Sequence, residues 1–395
     1  MKKATQQHTK EHNRFLVLKT IIDHETISRA QIARQTSLTR TTVSEIVSAL
    51  LEEGLVREIG IGESKGGKSP IILSLAEDSR YLIGLDLSHS EFRGALVNLH
   101  GTICADVLIP VEERLGEEAL SLVYKILDQL LASGMGPIVG IGVGTPGLVN
   151  SSEGVVINAV NLDWKDLPLG ELLQTRYGLP VYVLNDSHAA AMGEYSYGKE
   201  VKSDENLVVI NARHGIGAGI VIDGGLFLGD GGGAGEIGHV VVVREGGLPC
   251  RCGNYGCLET VASAQALVKQ VKMLVEHAGV ISIPGEINLS GIQKAFEAGD
   301  PQIRHMVLET GRYLGIAIAS LVGLLNIQRI VISGDMTSFG EPWLQTVEET
   351  FHRHTLSRLA NSTRITLGQL GRDSVVLGAS AVLANNYSLL FLGQS

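Results

Sequence analysis

Apolar residues recur at helical spacing in the first part of the chain and at strand spacing through much of the rest. Phe15, Leu18, Ile21 and Ile22 mark one helical face behind a candidate cap at Asn13. Ser28 is placed to cap a second, short helix reaching Gln35, with Ile32 and Ala33 facing inward. After the turn Thr36-Ser37-Leu38, the residues Val43, Ile46, Val47, Leu50 and Leu51 make the amphipathic stripe of a third helix, Thr39 to Glu53, which Gly54 stops. Two strand-like runs follow, Leu55 to Ile61 and Pro70 to Leu75. Beyond Asp78, strands and helices alternate. Leu82 to Asn98 reads as strand, polar turn, strand, and Leu207 to Asp223 repeats that pattern 125 residues later. Leu82 aligns with Leu207, Leu85 with Ile210, Asp86 with Asn211, Gly94 with Gly219 and Asn98 with Asp223. The repeat predicts two lobes of like topology with a ligand cleft between them.

Two helices joined by a three-residue turn, behind a supporting helix and before a hairpin, spell a winged helix-turn-helix. In that geometry the third helix offers its outward N-terminal residues, Arg40, Thr41 and Ser44, to base edges. Lys65 and Lys68, on the glycine-rich loop of the wing, would approach phosphates or the minor groove. A plain three-helix bundle fits the spacing as well; the wing favours DNA binding. Gly62-x4-Gly67-Lys68-Ser69 also satisfies the Walker A pattern. That chemistry needs a helix to start at the loop, however, and Pro70 opens a β-type run instead.

Composition narrows the class. The 395 residues are 44% apolar and 19% charged, with 48 Gly and 10 Pro, which excludes a disordered or collagenous chain and suggests two to four domains. Net charge is −10, yet residues 1–68 carry 11 Lys/Arg against 8 Asp/Glu, a mildly basic head on an acidic body. The first ten residues are polar, and the apolar stretch Tyr313 to Ile327 is shorter than a membrane span needs and is broken by Gly315, Gly323 and Asn326. The expectation is a cytoplasmic protein with no membrane partner.

Three of the four cysteines fall within eight residues, in His239-x10-Cys250-x-Cys252-x4-Cys257. Three thiolates and an imidazole on a glycine-broken loop make a closed tetrahedral site, so His239, Cys250, Cys252 and Cys257 are expected to hold a structural Zn2+. Cys104 stands alone in a strand and is expected in the core. Glu236 and Glu259 flank the metal loop, which would hold their carboxylates close together for vicinal hydroxyls. Asn185-Asp186 follows the apolar run Val181 to Leu184, where a strand ends at a cleft; Asp186 serves either as a ligand-binding group or as a helix cap.

Together these residues resemble the ROK family of repressors and sugar kinases, over essentially the whole chain. The zinc stretch is similar to its signature, and Gly144-Thr-Pro-Gly147, Asn161-Leu-Asp-Trp164, Asn185-Asp186, Gly235-Glu-Ile-Gly-His239 and Ser333-Gly334 to its other landmarks. The resemblance implies an α/β, actin-like (ribonuclease H-like) two-lobed sugar-kinase fold behind the winged head. It also implies sugar contacts from Asn161, Asn185, Asp186, Glu236, His239 and Glu259, with Asp186 the base in kinase members. The expected division is a head over 1–78, a first lobe over 79–192 and a second over 193–395, whose C-terminal segment has the option of returning to the first. The departures lie in the nucleotide turns. Family kinases carry Asp-x-Gly-Gly-Thr where this chain has Asp86-Leu-Ser-His-Ser90, and Gly-Thr-Gly where it has Arg213-His-Gly215. Arg213 and His214 either reach the cleft and help choose the sugar or are solvated turn residues.

With the head added, the chain resembles the family's xylose-repressor-like transcription factors rather than its enzymes. The expectation is a repressor released from a palindromic operator by a monosaccharide such as xylose or glucose, acting as a homodimer or dimer of dimers. A sugar kinase with an appended head is the alternative. A further reading has the body bind a transport-system protein through the apolar tail Leu389 to Leu392.

Overall fold

The structure, a computed structural model, describes residues 6–63, 69–198, 205–278 and 286–385. Lys65 and Lys68 of the wing loop, and the tail Leu389 to Leu392, lie outside the described residues.

The head comprises α1 (Gln6–Ile22), β1 (Ile27–Ser28), α2 (Arg29–Thr36), α3 (Arg40–Glu52), β2 (Val56–Ile61) and β3 (Ile71–Leu75). Helix α1 extends upstream of Asn13, which therefore lies inside it and is not its cap; no Gly or Pro between Gln6 and His12 interrupts the helix. Ser28 caps α2 in a reciprocal box, its hydroxyl facing the Gln31 N–H while the Gln31 side-chain carbonyl accepts from the Ser28 N–H at 2.9 Å. Ser37 turns the chain in the left-handed region, and Thr39 caps α3 by accepting from the Thr42 N–H at 3.1 Å. The three strands form one antiparallel sheet in the order β1-β3-β2. Directly after Pro70 the strand β3 begins, so a strand and not a helix follows the Walker-like spacing.

Val17, Leu18, Ile21, Ile32, Val43, Val47, Leu50 and Leu73 bury the head's core, which does not end at the head. Leu82, Leu99, Val139 and Leu383 belong to the same buried cluster. Arg80, itself buried, donates to the Glu53 carbonyl at 3.3 Å and to the Ser79 carbonyl at 2.7 Å. The head is seated on the body by a continuous apolar seam rather than tethered beside it.

The first lobe contains β4 (Tyr81–Leu87), β5 (Glu91–Asn98), β6 (Ile103–Pro110), α4 (Gly116–Leu131), β7 (Ile138–Thr145), β8 (Leu148–Asn150), β9 (Val155–Ala159), β10 (Trp164–Leu167), α5 (Leu169–Tyr177), β11 (Val181–Asn185) and α6 (Asp186–Tyr197). Its sheet runs β11-β7-β4-β5-β6, with β4, β7 and β11 parallel and β5 and β6 antiparallel. The second lobe contains β12 (Leu207–Ala212), β13 (Ile216–Ile222), β14 (Gly225–Phe227), α7 (Glu259–Ala262), α8 (Ala264–Ala278), α9 (Leu289–Glu297), α10 (Pro301–Leu325), β15 (Arg329–Ser333), α11 (Gly340–His354), α12 (Ser357–Ser362), β16 (Arg364–Leu367) and α13 (Ser374–Asn385). Its sheet, β14-β13-β12-β15-β16, repeats the order and directions of the first. The internal repeat therefore reports a duplicated topology, and the turns at residues 88–90 and 213–215 are equivalent.

Helix α13 crosses back onto the first lobe, packing on α6, β4 and β7. Backbones approach so closely there that a Cβ on Gly378 would lie 1.6 Å from the Ala189 carbonyl oxygen, and one on Gly142 1.9 Å from that of Ala379. Cys104 corrects an expectation: it is half-buried on the edge strand β6, outside the core. Among the described residues α10 alone has the length and apolarity to cross a membrane. Its Ile303, Val307, Leu314, Ile318 and Val322 instead fill the second lobe's core, and Asn326 ends it in the left-handed region.

Candidate functional site

Parallel strands direct their C-terminal ends toward one edge, and each lobe offers that edge to the cleft. In the first lobe Asp86 on β4 sits beside Gly144 on β7, and Asn185 on β11 beside Thr145. In the second, Asn211 on β12 sits beside Ser333 on β15. Asn185 is the cap of α6. Its Oδ1 accepts from the Ser187 N–H at 2.8 Å and the His188 N–H at 3.4 Å, and its Nδ2 donates to the Gly147 carbonyl at 2.9 Å. The capping role weighed for Asp186 thus falls mainly to its neighbour. Asp186 shares the Ser187 N–H, and burial pushes its carboxyl up to about 6, with Arg213 pulling down and Asp86 pushing the same way as burial. A carboxyl so placed is a ready hydrogen-bond partner for a hydroxyl.

His188 fixes the opposite wall. Its Nε2–H donates to the Ala234 carbonyl at 2.8 Å, pinning the glycine-rich loop that leads to Glu236. Burial lowers the His188 pKa, keeping it a neutral donor. Glu236 lies 3.8 Å from His239 Nε2, and its carboxyl is raised by burial, with Glu259 acting in the same direction and His239 against it. Glu259 opens α7, and its Oε2 accepts from the Ile216 N–H at 3.2 Å. Gly215 leaves room for that carboxylate: a Cβ there would lie 2.5 Å from it. The structure thus brings Glu236, His239 and Glu259 together. Asn161 joins them less directly, its Oδ1 accepting from the Arg251 guanidinium on the cysteine loop.

The donor atoms of His239, Cys250, Cys252 and Cys257 all lie within 4.8 Å of one another. Cys250 Sγ is 3.5 Å from His239 Nδ1, and Cys252 Sγ is 3.6 Å from Cys257 Sγ. A zinc tetrahedron with Zn–S near 2.3 Å and Zn–N near 2.0 Å has edges of about 3.5–3.8 Å, so the donor set fits that ion. Burial and the neighbouring sulfurs push the Cys257 thiol up to about 12, a cost that a bound dication removes. His239 faces the sulfurs with Nδ1 and Glu236 with Nε2, so one ring spans the metal loop and the carboxylate cluster.

Arg213, left open between cleft and solvent by its sequence, turns into the cleft. Its Nη1 donates to both oxygens of Asp86, at 2.9 and 3.1 Å, although Asp86 is only 3% exposed and lies on the other lobe. Burial holds Asp86 above the ordinary carboxylate range, with Arg213 opposing. His214 stacks on His89, ring centroids 4.3 Å apart. Three further residues join the site without a direct sequence motif: Asp335, whose charge acts on Asp86 and Arg213, Arg251 beside Asn161, and His89 against His214. Asp335 directly follows the Ser333-Gly334 landmark and Arg251 lies between two thiolates, which were the available signals. On the head, Arg40, Thr41 and Ser44 are all exposed on the first turns of α3, with Ser48 continuing their face.

Comparison with known proteins matches residues 82–386 to the ROK family and residues 10–57 to a winged helix-turn-helix DNA-binding model. The chain belongs to the ROK family. It is 34% identical to a xylose repressor of Caldicellulosiruptor bescii over 389 residues, covering 95% of this chain and 96% of that protein. Among solved structures it matches a ROK family transcriptional regulator, a homologue of the Escherichia coli MLC protein, with TM-score 0.84 and 30% identity over 98% of both chains. A ROK family glucokinase from Streptomyces griseus, in complex with glucose and AMPPNP, matches with TM-score 0.69 and 28% identity over 76% of this chain and 98% of that one. The ROK fold is thus followed end to end by regulators and without the head by a kinase.

Proposed function

We propose that this ROK protein is a sugar-responsive transcriptional repressor. It acts in the cytoplasm as a homodimer, or a dimer of dimers, on a palindromic operator. Arg40, Thr41 and Ser44 would meet base edges, and Lys65 and Lys68 the backbone or minor groove. A monosaccharide such as xylose or glucose would bind through Asn161, Asp186, Glu236, His239 and Glu259, with Asn185 holding the cleft wall and sparing one N–H for the ligand. The His239-Cys250-Cys252-Cys257 cluster would hold a structural Zn2+, which fixes the loop and neutralises its thiolates. By linkage, a sugar that releases the operator must bind free protein more tightly than DNA-bound protein.

The observation that carries the reading is the joint presence of an exposed α3 face, the neighbouring Glu236 and Glu259 carboxylates, and turns filled by Ser88, His89, Arg213 and His214. Ser88, His89 and Arg213 stand where the kinase pattern has glycines whose amides would cradle a triphosphate, and His214 stands where it has Thr, which favours a regulator over an enzyme. Selection of duplexes from a randomised library, followed by release with D-xylose or D-glucose, tests the assignment. Failure to bind any duplex, or ADP release from Mg-ATP with an aldose, would overturn it. Glu259→Ala should abolish the thermal shift that the effective sugar gives the wild type; a shift that survives places the sugar elsewhere.

A further inference from the structure

The turns at residues 88–90 and 213–215 are equivalent in the duplicated topology, and they meet. Positions 89 and 214, separated by the repeat offset of 125 residues, are both histidine, and their rings stack across the cleft. Beside them Arg213 of the second lobe grips Asp86 of the first. The Arg213 guanidinium also lies in the field of Asp186 and Asp335, so one cation serves three carboxylates drawn from both lobes. The end of β15 accommodates it: Gly334 has φ +96°, and a Cβ there would lie 2.7 Å from Arg213 Cγ. His214 Nε2 is buried without a hydrogen-bond partner, and its ring packs against His89 at an interplanar angle of 31°.

In the kinases that the chain resembles, the equivalent turns are glycine-bearing nucleotide turns, whereas here the two turns meet through their own side chains. We propose that Arg213 is a tethered cation that clasps Asp86 across the lobes and holds the resting cleft closed with neither nucleotide nor sugar present. The proposal rests on the sugar-responsive reading for its role in release, but the clasp itself is independent of it. The mechanism is simple. A closed resting cleft presents both walls to the sugar at once, so less ordering is left for the sugar to bring about. Breaking the clasp opens the cleft, and the sugar must then close it unaided.

The test uses the full-length protein. Arg213→Met keeps the volume and removes the charge, Asp86→Asn removes its partner, and the two are also combined. Small-angle scattering of the sugar-free protein should give a larger radius of gyration for each single variant, and no further increase in the double variant. Arg213→Lys should restore part of the compaction, which separates loss of the cation from misfolding. Binding of D-xylose and D-glucose by calorimetry should weaken about tenfold in each single variant and no more in the double, as expected for one shared charge-assisted contact. Unchanged radii in both single variants, or additive effects in the double, overturn the clasp whether or not a sugar binds. A wild-type protein that binds neither sugar counts against the proposed effector class, and the scattering arm still decides the clasp.

Discussion

At the scale of single residues, the cleft is a set of carboxyls held under strain by burial, and Asp186 is the one whose titration can be followed. Its folded-state value near 6, against an ordinary 3.8, means that the native protein holds this proton more tightly than the unfolded chain does. The sign follows: its contribution is most favourable below the ordinary value, and is lost as pH rises through about 6. Asp186→Asn removes that dependence. The variant should gain thermal stability relative to wild type at about pH 7 and show a smaller gain at about pH 5. Melting curves of the pair at both pH values check this, and a gain that grows on acidification contradicts it. The metal loop gives a second residue-scale prediction. On the proposed Zn2+ assignment, Cys257→Ser or exhaustive chelation should lower the zinc content found by elemental analysis from one per chain and lower the melting temperature, because the remaining cysteines, His239 and the neighbouring Glu236 then lose their organiser.

Much of this was legible in the chain and some was not, for physical reasons. The Cys3His spacing is local, so the cluster could be read directly. The neighbourhood of Glu236 and Glu259 followed because the same loop carries both. The role of Asn185 as cap was hidden by adjacency: Asn185 and Asp186 are both good caps, and only backbone geometry decides which one accepts the first amides. Arg213 stayed ambiguous because its partner Asp86 is 127 residues away, on another sheet, and no periodicity joins them.

At the scale of elements, periodicity located the helices of the head and the paired strands of each lobe, since both bury one face. It placed the start of α1 too late, because a polar helix turn has no apolar period to read. The crossing of α6 and α13 depends on Gly193 and Gly378 in place of any larger residue. Gly378→Val should therefore leave little soluble folded protein, or a melting temperature many degrees lower, whereas Val382→Ala, half-buried on the same helix, should be mild. For α3, Arg40→Ala should cost about 1–3 kcal/mol in operator binding and relax preference at one base position, measured by fluorescence anisotropy on the selected duplex. An equal loss on all sequences would make Arg40 a backbone contact.

At the scale of the whole molecule, two similar lobes, a returning helix and a seated head form one mechanical object. Helix α13 runs from the cleft, where Ser374 meets Ser333 at 3.2 Å, to the head seam, where Leu383 is fully buried. Hydrogen exchange should find the amides of α3 protected to the level of β4, and Leu383→Ala should lower protection in the head while leaving β15 unchanged. Equal loss everywhere would mean that the seam is no seam at all.

Leu82, Leu99 and Val139, which the body lends to the head, carry a further implication. A body severed after residue 78 would face water with an oily scar, and a head released alone would lack part of its floor. Neither piece could be exchanged for that of a headless kinase without first rebuilding this junction, so the DNA reader and the sugar receptor must change together or not at all.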